Sequence, residues 1–164
     1  MLLPPRPEDF ASLCALRCDP DATRHIGGPQ SPEDVWARLL RFVGTWTLFG
    51  YGSWIAREKD SKRFVGELGF INARRTIKPD FGDRIELGYA LHPSMQGRGY
   101  AREAAQAVIA WSERVLGPQE LVCMIDPQNQ PSLRLAAALG FKEYARSEYK
   151  GEPVILLARQ PAES

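Results

Sequence analysis

Segments with apolar residues three and four positions apart alternate along the chain with segments that have the two-residue period of β-strands. Helical spacing predicts four helices, over residues 7–18, 31–43, 101–115 and 131–139. Ser31 and Pro32 are typical of a helix start, and a short amphipathic helix is expected after them. Residues 25–29 are expected to form a surface loop before it. The segment after Ala101 predicts the longest helix, which Gly117 closes.

Six further segments have the alternation or the short apolar runs of β-strands: residues 51–58, 63–72, 84–91, 121–125, 141–149 and 153–158. Polar turns at residues 59–62 and 150–152 predict that two of these pairs are antiparallel. Residues 73–83 form a polar, turn-rich connection, and residues 160–164 form a polar tail. This order of elements predicts a single mixed α/β domain over residues 1–164.

Composition narrows the classes of function. The 164 residues are 44% hydrophobic and 25% charged, which is typical of a globular protein. Twenty-one basic and twenty acidic side chains give a formal charge of +1, so no overall field attracts nucleic acid or an anionic membrane. There is no apolar run of membrane-spanning length and no secretory signal at the N-terminus, so a cytoplasmic protein is expected.

The pattern of cysteines and histidines predicts no metal site. Cys14, Cys18 and Cys123 form no CxxC motif and no Cys/His cluster, so we expect three buried, hydrophobic side chains. The two histidines, His25 and His92, have no potential metal partner near them in the sequence.

A glycine-rich segment, Gln96-Gly97-Arg98-Gly99-Tyr100-Ala101, lies between a predicted strand and the strong helix that follows. The first amides of a helix lack partners, and glycines let a phosphate come close to them, so the segment predicts a pyrophosphate site. It is not a Walker loop, because no Lys-Ser/Thr pair follows, and Arg102 occupies the third glycine position of a Rossmann motif. The alternative is a simple glycine-rich turn.

The chain resembles the GNAT superfamily of acetyl-CoA-dependent N-acetyltransferases, most specifically over residues 65–141. The glycine segment matches the family signature Q/R-x-x-G-x-G/A at Gln96, Gly99 and Ala101. Asn129 and Ser132, ahead of a Leu-Gly-Phe sequence, are similar to the ribosomal-protein-alanine acetyltransferase branch. That branch also includes acetyltransferases of small amines and antibiotics.

The resemblance implies a mixed, mostly antiparallel central sheet flanked by helices, in which the strands at 84–91 and 121–125 splay apart. The pantetheine arm of acetyl-CoA would enter that cleft and meet the backbone near Leu91. The pyrophosphate would be held by Gln96, Gly97, Arg98, Gly99, Tyr100 and Ala101. Arg98 and Arg102 either contact phosphate or are solvated. Asn129 either bridges the cofactor and the splayed backbone or is an ordinary turn residue.

Acetyl transfer to an amine requires a proton acceptor, because a lysine-type amine has a pKa of about 10.4. Glu86 is the expected base, directly or through water, since it interrupts an apolar strand that the resemblance places beside the thioester. Glu67 is the second choice; either glutamate could instead be an outward polar residue or a paired internal acid. Ala136 occupies the family's tyrosine acid position, and Ser132 matches the serine proposed in the ribosomal branch. Ser132 could instead cap a helix, and the thiolate could leave with little help.

The implied activity is transfer of acetyl from acetyl-CoA to a primary amine, on a peptide N-terminus or a small molecule, in a ternary complex. The alternatives are a sensor module that binds acyl-CoA with little turnover, or an enzyme that uses another acyl-CoA donor. The expected partners are acetyl-CoA, the amine and, by family habit, a second copy of the chain. Arg74, Arg75 and Lys78 would bind an acidic peptide or phosphate, or form a solvated basic turn, so the acceptor's charge is open.

Overall fold

The computed structural model describes residues 1–161, so the last three residues of the predicted polar tail lie outside the described part. Seven strands form one sheet in the order β1-β2-β3-β4-β5-β7-β6. They are β1 (Leu2–Leu3), β2 (Ser53–Arg57), β3 (Phe64–Ile71), β4 (Ile85–Leu91), β5 (Leu121–Ile125), β6 (Lys142–Tyr149) and β7 (Glu152–Arg159). Only β4 and β5 are parallel, so the predicted mixed, mostly antiparallel sheet is confirmed.

Five α-helices flank the sheet: α1 (Phe10–Arg17), α2 (Pro20–Thr23), α3 (Pro32–Phe49), α4 (Tyr100–Val115) and α5 (Gln130–Ala138). Ser31 begins α3 as predicted, because its hydroxyl accepts the N–H of Asp34 at 3.1 Å. The short α2 was not predicted; the Asp19 carboxylate caps it by accepting the N–H groups of Asp21 and Ala22.

The predicted length of α3 is wrong, and α4 is not the longest helix. Helix α3 has 18 residues instead of the short helix expected, whereas α4 has 16 residues and begins one residue before its predicted start. Thr45 and Thr47 do not end α3, because their hydroxyls donate to carbonyls one turn earlier, at 2.7 and 3.1 Å. Helix α3 ends only at Gly50, whose positive φ of 70° reverses the chain.

The two faces of the sheet carry different elements. Helix α4 packs on the face that includes Leu68 and Phe70, in the main core. Helices α1 and α3 cover the other face around Ile55, and the β3–β4 connection covers it around Val122. Side chains alternate along a strand, so Glu67 lies on this second face, and its partners on α1 and α3 agree with that placement.

Strands β4 and β5 separate after a short paired stretch. Their register contains two pairs, Ile85 with Leu121 and Glu86 with Val122. Beyond Glu86, β4 continues to Leu91 beside β3, while β5 continues beside β7. The predicted splay of the two central strands is therefore present, and it leaves one edge of β4 without a strand partner over residues 87–91.

Trp46 and Trp54 pack edge to face at 4.7 Å between ring centroids, whereas Trp36 is 40% exposed. The cysteines only partly follow their sequence-based expectation. Cys123 is buried, but Cys14 and Cys18 are only half-buried.

Within residues 1–161, no helix is long and apolar enough to cross a membrane. The same residues contain no group of three or more His, Cys, Asp or Glu side chains that could hold a metal ion.

Candidate active site

The glycine segment forms an open cradle at the start of α4. Gly97 and Gly99 have positive φ angles of 71° and 83°, and a Cβ at either position would meet no atom within 4 Å. Within residues 1–161, the backbone N–H groups of residues 97–102 donate to no backbone carbonyl, and no side chain caps α4. Six free amides and the positive end of a 16-residue helix fit a pyrophosphate.

Two side chains of the cradle are held by Glu58, which follows β2. Tyr100 donates its hydroxyl proton to Glu58 Oε1 at 2.5 Å. Arg98 Nη2 lies 3.3 Å from the same oxygen, and its guanidinium stacks 5.0 Å from the Tyr100 ring. The Arg98 side chain is therefore engaged by Glu58, whereas Arg102 is exposed on the first turn of α4.

The end of β4 is tied to the cradle and faces the start of α5. Gln96 donates from its side-chain amide to the Leu91 carbonyl at 3.2 Å. Asn129 Oδ1 accepts the Ser132 N–H at 3.2 Å and caps α5. The alternative that Ser132 itself caps a helix is wrong, because Ser132 lies within the first turn and its own N–H is the capped group.

Tyr89 lies across the splay from α5 and was read from the sequence only as an apolar strand position. Its hydroxyl donates to the Ser132 carbonyl oxygen at 3.4 Å. Burial raises the pKa of Tyr89 to about 12, so the phenol keeps its proton at physiological pH. Ala136, at the position of the family's tyrosine, is only 3% exposed. Tyr89 therefore places a phenol group beside α5, the helix in which Ala136 occupies the position of the family's tyrosine.

Glu86 is 5% exposed and is held by one arginine. Its two carboxylate oxygens accept hydrogen bonds from Arg75 Nε at 2.6 Å and Arg75 Nη2 at 2.8 Å. These bonds raise the pKa of Arg75 against the opposing effect of its burial. Glu86 also lines a cleft of about 270 Å³ beneath the β3–β4 connection. At about 3.3 Å per residue, it lies some 16 Å along β4 from Leu91.

Glu67 is more deeply buried than Glu86, at 2% exposure. One of its oxygens, Oε1, accepts hydrogen bonds from both Arg17 and Arg38, the latter at 2.9 Å. Oε2 is buried without a hydrogen-bond partner among the described residues. Burial opposes ionisation of Glu67, but the charges of Arg38 and Arg17 hold its pKa below the usual range. This arrangement matches the expected alternative of a paired internal acid.

A histidine–aspartate pair lies beside the splay and was missed in the sequence. His25 Nδ1 lies 2.6 Å from Asp126 Oδ2, although the two residues are 101 positions apart. Asp126 directly follows β5, and both side chains keep about a quarter of their surface exposed, 29% and 25%. With Nδ1 directed at the carboxylate, Nε2 is the ring nitrogen placed to accept a proton. No local pattern in the sequence indicates this pair, because its two members are 101 positions apart.

Comparisons with known proteins agree with this geometry. Residues 1–142 match the family described as "Acetyltransferase (GNAT) domain", and the chain belongs to that family. The uncharacterized N-acetyltransferase p20 of Bacillus licheniformis is 29% identical over 140 residues, which cover 83% of this chain and 75% of that protein. A solved protein from Bordetella pertussis, described as a GNAT-family acetyltransferase, has 33% identity and a TM-score of 0.85, covering 96% and 93% of the two chains.

More distant structures share the fold without identifying the acceptor. The yncA protein of Salmonella typhimurium, solved with its cofactor acetyl-CoA, has 22% identity and a TM-score of 0.75, covering 100% and 95% of the chains. The ribosomal-protein-S5-alanine acetyltransferase of Vibrio fischeri has 21% identity and a TM-score of 0.70, covering 94% and 90%. The two scores are alike, so the ribosomal branch is not singled out among GNAT acetyltransferases.

Proposed function

We propose that this protein transfers the acetyl group of acetyl-CoA to a primary amine in a ternary complex. The observation that carries the proposal is the unpaired edge of β4 over residues 87–91, which leads directly to the free amides of residues 97–102. Membership of the GNAT family supports the reaction class, and the Salmonella structure supports acetyl-CoA as the donor.

The residues proposed to hold acetyl-CoA lie along one path. The strand edge near Leu91 would pair with the amides of the pantetheine arm as an added strand would. The cradle would hold the pyrophosphate through Gln96, Gly97, Arg98, Gly99, Tyr100, Ala101 and Arg102. Asn129 would face the arm from the start of α5. Bound acetyl-CoA supplies the acetyl group, and CoA thiolate is the leaving group.

Proton removal from the amine has two candidate groups. Glu86 is the first: it lines a cleft and Arg75 fixes both of its oxygens, so it would accept the proton, directly or through one water, from an amine bound in that cleft. The second is His25, favoured by its 2.6 Å pairing with Asp126 beside the splay. A carboxylate on Nδ1 fixes the orientation of the ring, as in other His–Asp pairs.

Proton delivery to the thiolate also has two candidates. Ser132 lies in the first turn of α5, as the resemblance to the ribosomal branch implied. Tyr89 contacts the backbone of the same turn and keeps its proton, so it can donate where the tyrosine at position 136 is lacking. Replacing Tyr89 by Phe should lower kcat more than the Ser132→Ala change if the phenol is the acid.

Thiol release tests the proposed function. The protein is mixed with acetyl-CoA and a panel of peptides, polyamines, aminoglycosides and amino acids, and free CoA is read with a thiol reagent. Release that requires one class of acceptor, with an acetylated product by mass spectrometry, is the expected result. Tight acetyl-CoA binding without release from any acceptor would instead support the sensor module, which no comparison favours.

The pH dependence of the rate distinguishes the two bases. Removing a general base typically lowers kcat about 100-fold or more and abolishes the matching ionisation in the pH–rate profile. We expect this from Glu86→Gln and a smaller effect from His25→Gln; the reverse order would assign the base to His25. Unchanged acetyl-CoA affinity in both variants is the control for correct folding, because neither residue lies in the proposed cofactor path.

A further inference from the structure

Helix α3 has apolar side chains on two sides, and the rest of the chain buries only one of them. The buried side consists of Val35, Leu39 and Phe42. Large apolar side chains on the second side are 40%, 54%, 45% and 75% exposed, at Trp36, Leu40, Val43 and Leu48. A surface helix normally presents polar residues to water, so a second apolar side is typical of a surface that packs against another molecule.

Four residues of the second side, spaced four positions apart, form a ridge along α3, which we term the α3 ridge. They are Trp36, Leu40, Gly44 and Leu48. A Cβ built at Gly44 would meet no atom within 4 Å, so the ridge has an open notch between its two leucines. Glycine inside a helix costs about 1 kcal/mol relative to alanine, and no neighbouring atom within residues 1–161 requires it at this position. Close approach of another helix would give the glycine a reason.

Covering the α3 ridge would bury no charge and leave no hydroxyl unpaired. Val43 and Thr47 are exposed beside the ridge, and the Thr47 hydroxyl donates to the Val43 carbonyl oxygen at 3.1 Å. The ring of Trp36 is held edge to face against Phe10, with 5.4 Å between the ring centroids. The surface is therefore apolar and partly fixed in place before any partner binds.

The α3 ridge is complementary to itself. Its equal spacing is symmetric about the midpoint between Leu40 and Gly44. A two-fold axis at that midpoint runs the two helices in opposite directions. It sets Leu40 of each copy into the notch at Gly44 of the other, and it sets Trp36 against Leu48. Two-fold dimers use the same patch on both subunits, and ridges of residues four apart pack into each other's grooves.

The exposed apolar area agrees with the area that a dimer needs. If a large side chain has about 150–250 Å² of surface, the exposed parts of Trp36, Leu40, Val43 and Leu48 amount to roughly 400 Å². A specific interface buries about 800 Å² per partner, of which a little over half is apolar. This side of α3 therefore supplies most of the apolar area of an interface of ordinary size.

We propose that the α3 ridge is the interface of a two-fold dimer of this chain, with the two copies of α3 antiparallel and Leu40 of each copy packed at Gly44 of the other. The proposal gives the second copy expected from the sequence a defined contact surface. It does not depend on the proposed catalytic activity, because the ridge residues line neither the cleft at Glu86 nor the glycine cradle.

Sedimentation velocity of the full chain over about 1–100 μM tests the proposal. We expect the wild-type protein to sediment with twice the mass of one chain. Leu40→Glu should raise the Kd of the dimer about 100-fold or more, because each copy would bury a charge in an apolar contact. Gly44→Leu should raise it about tenfold or more by filling the notch, although leucine favours the helix. Tyr144→Glu is the matched control, because Tyr144 is also an exposed apolar position but lies on β6, at one edge of the sheet.

Circular dichroism establishes that each variant is folded, and Leu48→Glu replaces Leu40→Glu if that variant does not fold. Loss of the dimer in both α3 variants, with the dimer retained in Tyr144→Glu, supports the proposal. A wild-type protein that stays monomeric over the whole range would overturn it. So would a dimer that either α3 variant leaves intact, or one that Tyr144→Glu disrupts equally, because the interface would then lie elsewhere.

Discussion

Glu67 and Glu86 each interrupt an apolar strand, and in the folded chain each is held by arginine side chains. A buried carboxylate is tolerated when its charge is paired and its oxygens accept hydrogen bonds. The two glutamates differ in the number of arginines that bind them and in whether they line a cleft. Glu67 binds two arginines of α1 and α3, whereas Glu86 binds one arginine and lines a cleft. We therefore assign Glu67 to stability and retain Glu86 as a candidate for chemistry.

Replacing Glu67 by Gln should destabilise the fold by about 3–5 kcal/mol, because Arg17 would remain buried without a counter-charge. The pKa of Glu67 is lowered in the folded state, so its stabilisation is present at neutral pH and is lost as the pH falls through that lowered value. The difference between wild type and variant in urea unfolding should therefore shrink in acid. Glu143→Gln, which breaks an exposed pair with Arg146, should change little; equal losses would contradict the assignment.

Tyr89 makes a prediction at alkaline pH. Its pKa is about 12 in the folded state against an ordinary value of 10.0, so above pH 10 the unfolded phenol loses its proton first. Stability should then fall by up to about 1.4 kcal/mol per pH unit between pH 10 and 12. Unfolding of wild type and Tyr89→Phe, compared across this window, should show the shallower decline in the variant. Parallel curves would show that the phenol is not buried as described.

At the scale of elements, the turn from β4 through the cradle into α4 brings together a strand edge and a helix start. The cradle needs backbone conformations that glycine adopts readily at Gly97 and Gly99, and it leaves the space above them empty. An anion-binding function gives both features one explanation, since a side chain in that space would exclude a phosphate.

Replacing Gly99 by Trp should abolish acetyl-CoA binding in calorimetry while the protein stays folded. A side chain at a φ of 83° costs about 1–2 kcal/mol, and the open space avoids a clash. Gly117→Trp is the matched control, because Gly117 also has a φ of 83° and open space but lies at the far end of α4. Unchanged affinity in Gly99→Trp, or an equal loss in both variants, would contradict a phosphate cradle.

Local patterns were sufficient to predict most elements and the cradle. Apolar periodicity located β5 at residues 121–125 and α5 to within one residue at each end, and glycines between a strand and a helix identified the cradle. Local patterns do not encode contacts between distant segments. His25 with Asp126 and Arg17 with Glu67 are 101 and 50 positions apart, so their pairing depends on the tertiary fold. The length of α3 was missed because its threonines and Gly44 resemble a helix end.

At the scale of the whole molecule, the splay connects the two faces of the sheet. The cradle and α4 lie at the face of the main core, whereas Glu86, its partner Arg75 and their cleft lie at the other. Strands β4 and β5 separate between these two faces, and the pair of His25 and Asp126 lies where β5 ends. The proposed donor site and the cleft at Glu86 therefore lie on opposite faces of the sheet, and both include residues of β4.

Hydrogen exchange with and without acetyl-CoA is the decisive measurement for the proposed donor site, because it reports on the backbone amides that would bind acetyl-CoA. We predict slower exchange on binding in peptides that cover residues 87–91 and 97–102, with α3 unchanged. Unchanged exchange in both segments at saturating acetyl-CoA, or protection confined to other parts of the chain, would contradict the proposed donor site.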